Sequence, residues 1–128
     1  MPGLPINPKG APPTLARYSR GMRAGDTIYV SGTCGVNAAG EVVGAGDVGA
    51  QTEQTLQNIR AVLEAAGAGL GDVVMNHIFL ADFADYAAMN AVYAVHFAEN
   101  PPARYCVQTP LVKPEYLVEI ASVAYVGG

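Results

Sequence analysis

The 128-residue chain predicts an α+β fold: one mixed β-sheet in the order βββαβαββ, with two helices packed on a single face. Three observations carry this. Residues 27–33 (TIYVSGT) alternate like a strand, and 73–81 (VVMNHIFLA) form a long apolar strand-like run. Leu56, Ile59, Leu63 and Ala66, and later Tyr86, Met89, Tyr93 and Phe97, recur instead at helical intervals. The tail, 103–109 and 117–126, then returns to strand-like patterning. No repeat or linker divides the chain, and its length suits a single domain, 1–128, with a modest core.

In chain order, residues 1–13 hold five of the nine prolines and read as an irregular, extended lead-in. Residues 18–23 form a candidate first strand, Ala24-Gly25-Asp26 a turn, and 27–33 a second strand. After a turn at Asn37-Ala38-Ala39-Gly40, residues 41–43 complete an antiparallel opening meander. Asp47 is the expected N-cap of the first helix and Gly67 its stop. The helix-linked strand 73–81 must run parallel to at least one neighbour. Asp82 or Asp85 caps the second helix, whose Tyr86, Met89, Tyr93 and Phe97 stripe reads as core, and Asn100-Pro101-Pro102 ends it. The last two strands read as a hairpin. With no third helix to cover the other sheet face, self-association is the simplest cover.

Composition narrows the function classes. Hydrophobic residues make up 51% and charged residues 14%, which for a small domain points to apolar surface hidden in an oligomer. A net charge of −4 and seven scattered Lys and Arg argue against nucleic acid. No run of 18 apolar residues and no apolar segment behind N-terminal charges is found, so membrane spans and secretion are not expected and a cytoplasmic location is. Two cysteines without a CxxC and two histidines, His77 and His96, give no disulfide framework and no zinc pattern.

The chemistry concentrates near the C-terminus. Arg104, Cys106 and Gln108 lie two apart and share a face of an extended segment, while Glu119 interrupts the apolar run 117–126. A hairpin centred between Val112 and Lys113 sets Cys106 opposite Glu119 and Arg104 opposite Ala121, bringing all three groups to one patch. A guanidinium offers paired donors to a carboxylate, and a nearby glutamate can move protons or orient water. The bland alternatives are a structural Arg104–Glu119 ion pair at a subunit seam and an inert buried Cys106, with Cys34 likewise inert.

Five segments together carry a resemblance: Tyr18; Val30-Ser31-Gly32; the Tyr86-Ala87-Ala88-Met89-Asn90-Ala91-Val92-Tyr93 helix; Pro102-Ala103-Arg104-Tyr105-Cys106-Val107; and Val118-Glu119-Ile120. In this order and spacing the chain resembles the RidA/YjgF family of enamine and imine deaminases from about residue 18 to 126. Asn76-His77-Ile78-Phe79, Val107-Gln108 and Leu111-Val112-Lys113-Pro114 look closest to its RutC branch, which acts on 3-aminoacrylate in pyrimidine breakdown. The resemblance implies a chorismate-mutase-like homotrimer with pockets between neighbouring subunits and no metal or organic cofactor. It implies that Arg104 grips the substrate carboxylate, Cys106 and Glu119 line the reacting end, Tyr18 and Asn90 contribute to the pocket, and Gly32 permits close backbone approach. Read without it, Tyr18 is strand packing, Asn90 a locally bonded helix residue, and Gly32 a bulge or tight contact. Cys34 has no counterpart in the family pattern, and Thr109-Pro110 departs from it. The implied reaction is deamination of 3-aminoacrylate to malonic semialdehyde and ammonia. Deamination of 2-iminopropanoate or 2-iminobutanoate, or a non-enzymatic ligand-binding or interaction role, are the alternatives.

Overall fold

A computed structural model describes residues 3–128. The elements are β1 (Leu4–Ile6), β2 (Gly21–Ala24), β3 (Thr27–Thr33), α1 (Val48–Ala65), β4 (Val73–Leu80), α2 (Tyr86–His96), β5 (Ala103–Gln108) and β6 (Val118–Tyr125). They build one six-stranded sheet in the order β1-β2-β3-β6-β4-β5, antiparallel except for the β4–β5 pair, which the α2 crossover makes parallel. The expected element order and mixed sheet are found.

Local chemistry explains the helices. The Asp47 side chain accepts from the Ala50 amide, a cap worth about 1 kcal/mol. At the other end Gly67 adopts φ +79°, and Ala68 N–H reaches back to the Leu63 carbonyl, closing the helix in a left-handed turn. Leu56, Ile59, Val62 and Leu63 of α1 are buried against the sheet face that carries Ile28, Val30, Ile78, Leu80, Val118 and Ile120. Each such side chain contributes about 1.5–3 kcal/mol of burial.

The opening meander has different members from those expected. A strand forms at Leu4–Ile6, inside the segment read as irregular; it is an edge strand, where Pro5 removes no ladder bond that matters. The second strand begins only at Gly21, which leaves Tyr18 in irregular chain. Residues 41–43 make a single bridge, Val36 to Val42, instead of a strand. There the Asn37 side chain accepts from the amides of Ala39 and Glu41, so these donors are satisfied locally and not on a ladder.

The C-terminal hairpin is also absent. β4 lies between β5 and β6 and pairs with both. The connection 109–117 is longer than the roughly 2–5 residues usual for a hairpin, and it crosses the end of β4 instead of reversing tightly. One sheet face therefore stays uncovered in the single chain. It carries Tyr29, Phe79, Tyr105, Val107 and Val123, with Tyr29 50% and Tyr105 44% exposed.

Candidate functional site

Arg104 lies on β5 in register with Asn76 of β4, which is in register with Ser122 of β6, so all three face the helices. Its Nη2 donates to Asn90 Oδ1 at 2.7 Å and to the Tyr86 hydroxyl at 3.1 Å. The guanidinium carbon stands 4.7 Å from the Tyr93 ring centroid, an attraction worth about 0.5–2 kcal/mol. Beneath it the Tyr93 hydroxyl accepts from Asn76 Nδ2 at 2.9 Å, and Asn76 Oδ1 accepts from the Ser122 hydroxyl at 2.6 Å. Asn76 is fully buried, so breaking this chain costs about 1–3 kcal/mol for each stranded group. The platform holds Arg104 by one nitrogen, and among the described residues its other N–H groups have no protein acceptor.

Cys106 shares this face two residues on, and with Phe83 and Tyr86 it lines an open hollow. Burial pushes its thiol up, partly offset by the Arg104 charge, so it keeps its proton at neutral pH. The Tyr86 hydroxyl is pulled below its ordinary range by its hydrogen bonds with Asn90 and Arg104. Tyr86 is 42% exposed and does not belong to the core stripe read from the sequence; Met89, Tyr93 and Phe97 do. Its spacing of four from Asn90, which puts both on one helix face, was the signal that could have found it.

Glu119 is in register with Phe79, which is in register with Val107, and it faces the uncovered side. Its Oε1 accepts from the Cys34 thiol at 3.5 Å, and its Oε2 lies against Gly32, where a β-carbon would overlap it. Gly32 sits where the β3–β6 register shifts, and the bulge lets the carboxylate lie against the backbone. Tyr18, Arg20, Gly32, Cys34, Tyr116 and Glu119 enclose a pocket of about 60 Å³, roughly the volume of two waters. Burial, the Glu119 charge and the hydrogen bond to Glu119 together drive the Cys34 thiol far above its ordinary range. Burial likewise raises the Tyr116 hydroxyl. Cys34, Tyr116 and Arg20 carried no sequence signal as site residues.

The expected site residues thus fall into two groups. Arg104, Cys106 and Asn90 are together, and Glu119, Gly32 and Tyr18 are together. The convergence expected from the hairpin does not occur. Cys106 is in register with Ile78 and, across β4, with Ile120, one residue from Glu119, and in a strand one residue is the opposite face. Among the described residues no ion pair joins Arg104 to Glu119, so the structural pair is absent within the chain. Also among the described residues, no group of three His, Cys, Asp or Glu side chains could hold a metal ion.

The profile of the family described as Endoribonuclease L-PSP matches residues 8–126. The chain belongs to this family. The RidA/YjgF resemblance read from the sequence is to the same group. Over 126 residues the chain is 52% identical to 3-aminoacrylate deaminase RutC of Acinetobacter baylyi, covering 98% of this chain and all of that one. Among solved structures, RidA from the Antarctic bacterium Psychrobacter sp. superposes with a TM-score of 0.90 at 35% identity, covering 96% of this chain and 99% of that one. Escherichia coli TdcF with bound serine superposes at 0.89 with 30% identity, covering 97% and 99%. The matched range takes in both groups of residues, from Tyr18 to Glu119.

Proposed function

We propose that this protein deaminates small enamine and imine acids, with 3-aminoacrylate the preferred substrate. On this reading it works as a homotrimer in which the Arg104 half-site of one copy meets the Glu119 half-site of the next. The observation that carries the proposal is the division of the candidate residues: Arg104, Asn90 and Cys106 lie on one face of the sheet, and Glu119 with Cys34 and Gly32 on the other. A second copy joins such halves without any change of fold, and the uncovered face with Tyr29, Phe79 and Tyr105 supplies apolar area for the contact. The 3-aminoacrylate deaminase relative and the serine-bound neighbour, whose ligand is also a three-carbon acid, support the substrate class.

In 3-aminoacrylate the amino group sits on a C=C bond conjugated to the carboxylate. The Arg104 guanidinium donates to the carboxylate through two of its N–H groups, while Asn90 and Tyr86 hold its Nη2. The carbon next to the carboxylate gains a proton and the C=C becomes a C=N. Cys106, protonated at neutral pH, is placed to supply that proton or to line the pocket. Water then adds to the C=N carbon. Glu119 takes a proton from the water and returns one to nitrogen, and the C–N bond breaks to leave ammonia and malonic semialdehyde. Every proton in this sequence comes from water or a side chain, so no cofactor is required. The reading places the enzyme in the cytoplasm, and no described helix is long and apolar enough to cross a membrane. It assigns no nucleic acid partner, because phosphate neutralisation needs clustered cations and the net charge is −4.

The test is ammonia release from enamines generated in situ. Faster turnover of 3-aminoacrylate than of 2-iminopropanoate or 2-iminobutanoate is expected. Equal turnover overturns the narrower substrate, and no turnover of any of them overturns the deaminase.

A further inference from the structure

Arg20 is a buried cation, 7% exposed, that the proposed chemistry does not use. Its Nη2 donates to the carbonyls of Pro12 and Pro13, the latter at 2.7 Å, and its Nε is buried without an acceptor. Among the described residues no carboxylate pairs with it: the ion pairs found are Arg23–Asp26 and His96–Glu53. Carbonyls satisfy N–H groups without neutralising the charge, and Glu119, which shares a pocket wall with Arg20, makes no ion pair with it; a buried charge without a paired carboxylate is costly. Arg20 also walls a cavity of about 200 Å³ between α1 and residues 8–12, the N-terminal strap. The other walls include the apolar Pro8, Ala11, Pro12 and Val62. Drug-sized ligands fill about 300–1,000 Å³, so this space suits a smaller molecule. Lys9, Asn37, Gln54 and Asn58 also line the space, and a cation beside polar groups on one side and apolar walls on the other matches a carboxylate with a short carbon tail.

We propose that this cavity is a second ligand site for a small monocarboxylic acid, with its carboxylate on the Arg20 guanidinium and its tail among Pro8, Ala11, Pro12 and Val62. Pro12 lines this cavity and Pro13 lines the Glu119 pocket, so the guanidinium bonded to both carbonyls stands in the wall between them. The occupant is therefore a neighbour of the Glu119 half-site and not its substrate.

The probe is butanoate, titrated calorimetrically into the full chain and into Arg104→Gln, which lacks the other candidate carboxylate site. One saturable site per chain is expected to remain in Arg104→Gln. In that background Arg20→Gln weakens it about tenfold or more, the loss of a charge-assisted contact. Because Arg20 also holds the strap, Ala61→Phe is the second variant: Ala61 is exposed on α1 and lines the cavity, so filling it leaves the proline contacts intact. The same loss is expected there, with inorganic phosphate and neutral butanol each binding at least tenfold more weakly. Absence of the site in Arg104→Gln, unchanged binding in Arg20→Gln and Ala61→Phe, or equal binding of butanol or phosphate overturns the proposal. Deamination that survives Arg104→Gln overturns the proposed function and leaves this site standing.

Discussion

Mixing two impaired variants tests the divided site directly. Arg104→Gln removes the carboxylate fork and Glu119→Gln the proton carrier, and each is expected to cost at least one charge-assisted contact, about 1.5–3 kcal/mol or roughly 10–150-fold in turnover. The two substitutions lie on opposite faces of the sheet, so each chain keeps one intact half. In a ring with one pocket per adjacent pair, a pocket recovers when its Arg104 half comes from the Glu119→Gln chain and its Glu119 half from the Arg104→Gln chain. Random assembly from equal amounts satisfies each condition half the time, so about a quarter of the pockets recover. The assay is ammonia release after co-expression of differently tagged variants, or after joint unfolding and refolding. Activity near a quarter of wild type is expected, well above either variant alone. Activity no higher than the mean of the two pure variants refutes the shared pocket, since a site inside one chain cannot be rescued this way.

Arg104→Lys keeps the charge but not the fork; turnover is expected to fall about tenfold or more with the assembly unchanged by gel filtration, and wild-type kinetics would remove Arg104 from the site. Gly32→Ala places a β-carbon on Glu119 Oε2, at the flexible end of a side chain. It is expected to displace the carboxylate and reduce turnover while the melting temperature changes little, and an unaffected rate would show that Glu119 need not lie there. Cys34, with its thiol raised by burial and by Glu119, is expected to react with iodoacetamide at pH 8 more slowly than free cysteine; labelling at the free rate, read by mass spectrometry, contradicts the contact. The Glu53 carboxyl is held below its ordinary value of 4.5 by hydrogen bonds from His96 and Gln57. A depressed folded value means that the contact stabilises fully above the ordinary value and fades as pH falls from there through the folded value. Glu53→Gln should therefore flatten the acid side of a melting-temperature profile, and an unchanged slope would mean that the contact adds nothing.

Local signals read along the chain were dependable wherever a nearby residue satisfies the backbone. Asp47 caps α1 and Gly67 ends it, because a side-chain acceptor and a left-handed turn need only neighbours within a few residues. The strand at 73–80 and the buried Met89, Tyr93 and Phe97 followed from periodicity for the same reason. Residues 41–43 misled because Asn37 took the amide bonds that a strand would have used, and 1–13 misled because prolines concealed a short edge strand.

Element order and family were legible along the chain, since both reside in periodicity, caps and motif spacing. Which strands are neighbours was not legible there and emerges only in three dimensions. Alternation states that Arg104 and Cys106 share a face, yet it is silent on which strand lies beside them, and inserting β4 sends Glu119 to the far side. Pairing partners are chosen by burial of the whole sheet, a sum over residues far apart in the chain, and one residue of register exchanges one face for the other.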